Sequence, residues 1–104
     1  MPERVVEVEG IVGTGAIYTV VRRDVVESLG VKPLERRRFK AFGGHVERDI
    51  GEVGLILVGK RRVVPAIFGE AEDIIVVGMT ALEIIGLELD PARGTLKKAE
   101  LLPF

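Results

Sequence analysis

The apolar residues of this chain occur in short, valine-rich runs that glycine and charged residues repeatedly interrupt. No run approaches the ~20 consecutive apolar residues that a membrane-spanning helix needs. Branched residues in short runs between glycines favour β-strands, because their side chains pack well on a pleated sheet. At 104 residues the chain can build one hydrophobic core, so we expect a single domain spanning 1–104.

The run pattern predicts about seven short strands and two short helices. Strands are expected at Arg4–Glu9, Ala16–Val21, a hairpin over Phe39–Ile50 that turns at Gly43-Gly44, Val53–Val58, Val63–Phe68, Ile74–Val77 and Gly94–Leu102. Asp24 and Thr80 each stand three residues before a glutamate, which is a capping-box spacing, so helices are expected from Asp24 to Gly30 and from Thr80 to Gly86. The predicted fold class is all-β, a small closed barrel or sandwich.

Composition excludes several kinds of chemistry. The chain has no cysteine, so it offers no disulfide, thiolate nucleophile or cysteine zinc site. His45 is the only histidine and Ser28 the only serine, which argues against a multi-histidine metal site and against Ser-His-Asp catalysis. We therefore expect no metal and no cofactor.

The charge balance and the chain start bear on partners and location. With Lys+Arg 15 against Asp+Glu 16, the chain lacks the basic excess of a generic nucleic-acid binder, and Arg36–Arg38 is expected to be a solvated face. The start, Met-Pro-Glu-Arg, has no apolar signal region, so we expect a cytoplasmic protein without a membrane partner. The chain contains no Asn or Gln, and 30% of its residues are charged. This composition is typical of proteins from thermophiles.

Gly10–Val21, with the sequence GIVGTGAIYTVV, resembles the active-site loop of retropepsin-type aspartic peptidases. The family signature is two apolar residues followed by Asp-Thr-Gly-Ala/Ser, and Thr14, Gly15 and Ala16 match its last three positions. A second family motif, two apolar residues and a glycine leading into a helix, resembles Val76-Val77-Gly78. The resemblance covers most of the chain and implies a retropepsin-like closed barrel.

The resemblance also implies how such a chain assembles and binds. The segment Phe42, Gly43, Gly44 and His45 lies where the family has the tip of its flap. A chain of this length resembles half of a two-lobed peptidase, so it implies a homodimer to which both chain ends contribute. The expected ligand is an extended peptide or protein segment, held in a groove between the subunits by strand addition.

The catalytic aspartate of the family falls on Gly13. Aspartic peptidases need two carboxylates that share a proton, one acting on the attacking water and one on the scissile carbonyl. In a symmetric dimer, one glycine removes both carboxylates, so the chain as written is expected to be inactive. The chain has four aspartates, Asp24, Asp49, Asp73 and Asp90. Their sequence contexts predict capping, strand or turn roles and not a place in a catalytic dyad.

Three hypotheses for function remain open at this point. The first is an inactive homologue that binds peptides. The second is an active endopeptidase whose native form carries aspartate where this sequence has Gly13, the glycine being an engineered or variant substitution. The third is a non-enzymatic β-barrel interaction module. A dinucleotide-binding loop at Gly10–Gly15 is excluded, because the chain continues as a strand pattern and not as a helix.

Overall fold

The computed structural model describes residues 5–12, 17–41, 43–73, 75–86 and 95–103. These ranges form a mostly β structure with seven strands and two short helices. The elements are β1 (Val6–Val12), β2 (Thr19–Arg22), α1 (Arg23–Ser28), β3 (Glu35–Ala41), β4 (Gly44–Leu57), β5 (Lys60–Gly69), β6 (Val76–Val77), α2 (Met79–Ile85) and β7 (Thr95–Leu102). The all-β prediction is confirmed at this level. Neither helix has the length and apolar character needed to cross a membrane.

The strands pair in the order β3-β4-β5-β2-β6-β1-β7, and β4 pairs with β7 as well. That second pairing, with Leu55 opposite Leu101, connects the two ends of the order. Six strands therefore form a closed ring of hydrogen-bonded neighbours, in the order β4-β5-β2-β6-β1-β7. Strand β3 lies outside the ring and pairs with the first half of β4, from Gly44 to Ile50.

Strand β6 is inserted between β1 and β2. It runs parallel to β1, with Val77 opposite Val12, and antiparallel to β2, with Val76 opposite Val20. The two strands on either side of β6 flank residues 13–16 in the chain. The motif Val76-Val77-Gly78, which contains β6, therefore lies between the two strands that precede and follow residues 13–16.

The core lies inside the ring and follows the alternation of the strands. On β5, the inward residues Val64, Ala66 and Phe68 are buried, while the intervening Pro65 and Ile67 are half-buried on the outer side. Both helices place apolar residues against the same core, namely Val25, Val26, Ala81, Leu82 and Ile85. Amphipathic helices this short depend on such packing for their stability.

Several predicted boundaries change in the structure. The expected strand Val53–Val58 is the second half of β4, and the turn that follows consists of Val58 and Gly59. The hairpin around Gly43-Gly44 and the final strand are confirmed. The first residues of four predicted strands lie outside the described residues, namely Arg4, Ala16, Ile74 and Gly94.

Both predicted helices form, but neither is capped as the spacing predicts. Helix α1 follows β2 directly, its N-cap is Arg22, and Asp24 lies in its first turn, where it forms an ion pair with Arg22 at 3.4 Å. The N-cap of α2 is Gly78, and the Thr80 side chain makes no capping hydrogen bond. Helix α1 begins directly where β2 ends, and α2 begins after Gly78, so the capping-box prediction was wrong at both.

Candidate functional site

The two motifs that carry the family resemblance lie side by side at their described ends. β1 ends at Val12, whose parallel neighbour is Val77, and Gly78 follows directly as the N-cap of α2. The predicted loop residues themselves, Gly13, Thr14, Gly15 and Ala16, lie outside the described residues. What can be described is the chain on either side of them and how it is held.

Two hydrogen bonds attach the second motif to the segment that follows the first. The Gly78 N–H donates to the Thr19 hydroxyl at 3.1 Å, and the Thr80 N–H donates to the Ile17 carbonyl at 3.0 Å. Thr19 is only 1% exposed, so its hydroxyl gives a buried backbone donor the partner that it needs. The sequence reasoning did not single out Thr19, because it reads as an ordinary strand residue.

The glycine of the second motif is required by close packing. A Cβ added to Gly78 would lie 2.3 Å from the carbonyl carbon and 2.5 Å from the carbonyl oxygen of Tyr18. Both atoms belong to the backbone, so no side-chain rotation relieves the contact. The start of α2 thus lies directly against Tyr18, and Ile17 beside it is 66% exposed.

A half-buried apolar surface covers the outer side of β2, β5 and β6. Thr19 and Val21 point into the core, so Tyr18 and Val20 face outward. Val20 has Ile67 of β5 on one side and Val76 of β6 on the other. All of these outward side chains are only partly covered.

The hairpin formed by β3 and β4 contacts this surface at Tyr18. The ring of Phe39 meets the Tyr18 ring edge-on, with centroids 5.9 Å apart and planes at 73°. Arg37 Nη1 donates to the Tyr18 hydroxyl at 3.3 Å, and its other terminal nitrogen pairs with Glu35. Arg37 and Phe39, which are alternate residues of β3, therefore both face Tyr18.

The space beside these contacts is an open cavity of about 300 Å³, which we call the groove. It is lined by Tyr18, Leu34, Glu35, Arg37, Ile50, Glu52 and Pro65. A cavity lined by apolar residues and a few charged ones is typical of sites that bind a ligand. Leu34 is 69% exposed at the groove, which leaves an apolar side chain available for contact.

The predicted flap tip is the turn of this hairpin. Gly43 and Gly44 have φ angles of +82° and +143°, which side-chain-bearing residues rarely adopt, and none of the described residues lies within 4 Å of a Cβ added at either. His45 is exposed and lies opposite Lys40. Phe42 lies outside the described residues. The turn is thus open on the side of both glycines.

Ion pairs at Asp49 fix the base of the hairpin. The Asp49 carboxylate accepts from Arg23 of α1 at 2.9 Å and from Arg36 of β3 at 3.2 Å. The hydrogen bond from Arg23, followed by that from Arg36, lowers the pKa of Asp49 below its usual value. The Asp49 carboxylate of β4 thus joins this strand to α1 and to β3. Arg23 also lies over the Phe68 ring, 5.6 Å from its centroid.

The other aspartates that could replace a missing dyad have structural partners. Asp49 is committed to two arginines, and Asp24 pairs with Arg22. Asp73 accepts a hydrogen bond from the Glu70 N–H at 2.6 Å, as a turn residue does. Asp90 lies outside the described residues. These contacts agree with the structural roles that the sequence predicts for Asp49 and Asp73, whereas Asp24 does not cap α1 as predicted.

Within the described residues, no three His, Asp or Glu side chains are grouped so that they could hold a metal ion. The chain matches no protein-family model and no curated protein.

Proposed function

We propose that this chain is a retropepsin-like aspartic peptidase homologue that binds an extended peptide at a homodimer interface and does not hydrolyse it. The observation that supports this most is the pair of hydrogen bonds from Gly78 to Thr19 and from Thr80 to Ile17. They join the chain following the Gly13 loop to the motif Val76-Val77-Gly78, and these are the two segments on which the resemblance depends.

The groove supports the binding part of the proposal. Tyr18 lies four residues beyond Thr14, and the hairpin with Gly43-Gly44 at its turn approaches Tyr18 through Phe39. An extended peptide has alternating side chains, and one of them can occupy a cavity of about 300 Å³ beside Tyr18. In a symmetric dimer, two such grooves would continue across the two-fold axis.

Gly13 supports the second part of the proposal, that the chain does not hydrolyse the peptide. Water attack on a peptide carbonyl needs a general base and a proton donor, and the family supplies both from one aspartate of each subunit. Glycine has no group that accepts or donates a side-chain proton. Peptide binding through the groove does not need this position, so binding and hydrolysis are separable.

The decisive experiment restores the acid. Gly13→Asp is compared with Gly13→Asn and the original chain, using a mixture of unstructured peptides from pH 3 to 7 at raised temperature. We expect cleavage by Gly13→Asp alone, because asparagine matches aspartate in size but cannot serve as a general base. Hydrolysis by the original chain would contradict the inactive assignment. A dimeric Gly13→Asp variant that cleaves nothing would contradict the peptidase scaffold.

Assembly and binding are measured separately. Sedimentation should give a dimer at micromolar concentration, and a strict monomer would contradict the shared groove. Because the chain has one tyrosine and no tryptophan, Tyr18 fluorescence reports a peptide without aromatic residues entering the groove. Leu34→Lys should weaken that signal, while Val58→Lys, at a site of similar exposure outside the groove lining, should leave it unchanged.

A further inference from the structure

Strand β3 has a free edge. It stands at the end of the strand order and pairs only with β4 among the described residues. In an antiparallel pair, every second residue directs its N–H and C=O away from the partner strand. The residues from Glu35 to Lys40 are exposed except for the half-buried Phe39, so these backbone groups are accessible to another chain.

The two faces of β3 differ in character. Arg37 and Phe39 contact Tyr18, so the even-numbered residues Arg36, Arg38 and Lys40 share the opposite face. Alternate residues of a strand are about 6.6–6.8 Å apart, and a strand paired with β3 has the same repeat. Three cations on one face therefore match alternate side chains of an added strand.

Only one of these three cations is neutralised by the described residues. Arg36 forms ion pairs with Glu47 and Asp49. Glu47 lies opposite Arg38 in the register, yet its carboxylate is paired with Arg36, and Lys40 lies opposite His45. Arg38 and Lys40 are exposed and have no ion pair or hydrogen bond with any described residue. Two unpaired cations thus stand beside an open strand edge.

We propose that the free edge of β3 binds an acid-rich extended peptide by strand addition, with carboxylates at alternate positions paired to Arg38 and Lys40. The backbone edge supplies hydrogen bonds, and the two cations select the charge and the repeat of the ligand. A polyanion such as single-stranded nucleic acid fits less well. Phe39 is already stacked edge-on with Tyr18 on the other face, and among the described residues no aromatic side chain accompanies the cations on theirs.

This site is separate from the groove. It uses the even-numbered face and the outer edge of β3, and it requires neither the dimer nor the Gly13 loop. Its outcome is therefore independent of whether the chain proves to be a peptidase homologue.

The test uses labelled ten-residue peptides and fluorescence anisotropy with the full chain. The first peptide alternates glutamate and valine, the second has lysine for glutamate, and the third has proline for valine. Proline keeps the carboxylates but removes amide donors and disfavours strand pairing. A single-stranded oligonucleotide of equal charge is the fourth probe. We expect only the glutamate–valine peptide to bind, with an affinity that falls as salt rises.

Two double variants are compared, Arg38→Gln/Lys40→Gln and Lys32→Gln/Arg62→Gln. Each removes two positive charges, but only the first removes them from β3. The first should weaken binding about tenfold, since each exposed ion pair contributes a few-fold. The second should leave it unchanged. Arg38→Lys/Lys40→Arg should retain binding, and circular dichroism checks that all variants are folded.

Four results would overturn the proposal. They are no binding of the glutamate–valine peptide, equal binding of the proline peptide, equal loss in the two charge-removal variants, and oligonucleotide binding as tight as that of the peptide. A Leu34→Ser variant tests whether this site is independent of the groove. It should bind the acidic peptide normally, because it changes the groove lining without adding a charge beside β3.

Discussion

The amide of Gly78 is held by the hydroxyl of Thr19 at 3.1 Å, across 59 residues of sequence and inside the protein. This contact joins the start of α2 to β2, the strand that leads away from the Gly13 loop. Because Thr19 is buried, water cannot replace its hydroxyl as the acceptor. One side-chain oxygen therefore helps to hold the second motif in place, together with the Thr80–Ile17 hydrogen bond and the pairing of β6.

Thr19→Val should destabilise the protein by about 1–3 kcal/mol, the cost of leaving a buried donor unsatisfied. Thr19→Ser keeps the hydroxyl and loses only a methyl group. The informative measurement is hydrogen exchange at the Gly78 amide, which should speed up in Thr19→Val and stay protected in Thr19→Ser. Equal protection in both variants would show that another acceptor holds this amide.

Gly78→Ala should be among the most damaging single substitutions, because its Cβ would lie 2.3 Å from the Tyr18 backbone. Overpacking against atoms that cannot rotate away costs about 3 kcal/mol or more. Gly59→Ala is the matched control, since its Cβ meets nothing within 4 Å and its cost is the positive φ of +74° alone, about 1 kcal/mol. Urea unfolding compares the two, and a smaller loss at Gly78 than at Gly59 would contradict the steric argument.

The sequence allowed the local elements to be predicted where local chemistry decides them. The turn at Gly43-Gly44 was predictable because its φ angles favour glycine, and Gly86 ends α2 in the left-handed conformation for the same reason. The insertion of β6 between β1 and β2 was not, because it joins segments far apart in the chain. No local pattern records which distant strands become neighbours.

The candidate site was predictable only in part. The motifs pointed to the Gly13 loop and to the hairpin, but the meeting of Tyr18 with Phe39 depends on the relative register of several strands. The start of α1 was misplaced because β2 runs directly into this helix after Arg22. A capping-box spacing describes a helix entered from a loop, and here the end of the preceding strand sets the first residue.

Substitution of Val58 should stabilise the protein, in contrast to the substitutions of Thr19 and Gly78. It is 65% exposed and has a φ of +51°, a conformation that crowds a β-branched side chain. With Gly59 it forms the two-residue turn between β4 and β5, where Asn-Gly is strongly preferred. Val58→Asn should therefore raise the free energy of unfolding by about 1 kcal/mol in urea titrations. Val58→Thr keeps the branch and should give no comparable gain; an equal gain would assign the effect to polarity.

The ion pairs of Asp49 predict a pH-dependent contribution to stability. Hydrogen bonds from Arg23 and Arg36 lower the pKa of Asp49 in the folded chain, so its contribution is complete above the unfolded value, about 3.9. It is lost as the pH falls through the lower folded value. Asp49→Asn should therefore lower the unfolding temperature at pH 7, and the difference from the original chain should shrink as the pH falls below about 4.

The control for this prediction is Asp24→Asn, which removes a more exposed carboxylate with a single arginine partner. Exposed ion pairs contribute little, so its effect at pH 7 should be small. Because Asp49 joins α1 to the base of the hairpin, its loss should also increase hydrogen exchange in β3 at pH 7. A difference between Asp49→Asn and the original chain that stays constant from pH 7 to pH 2 would show that the charge of Asp49 is not what holds the hairpin.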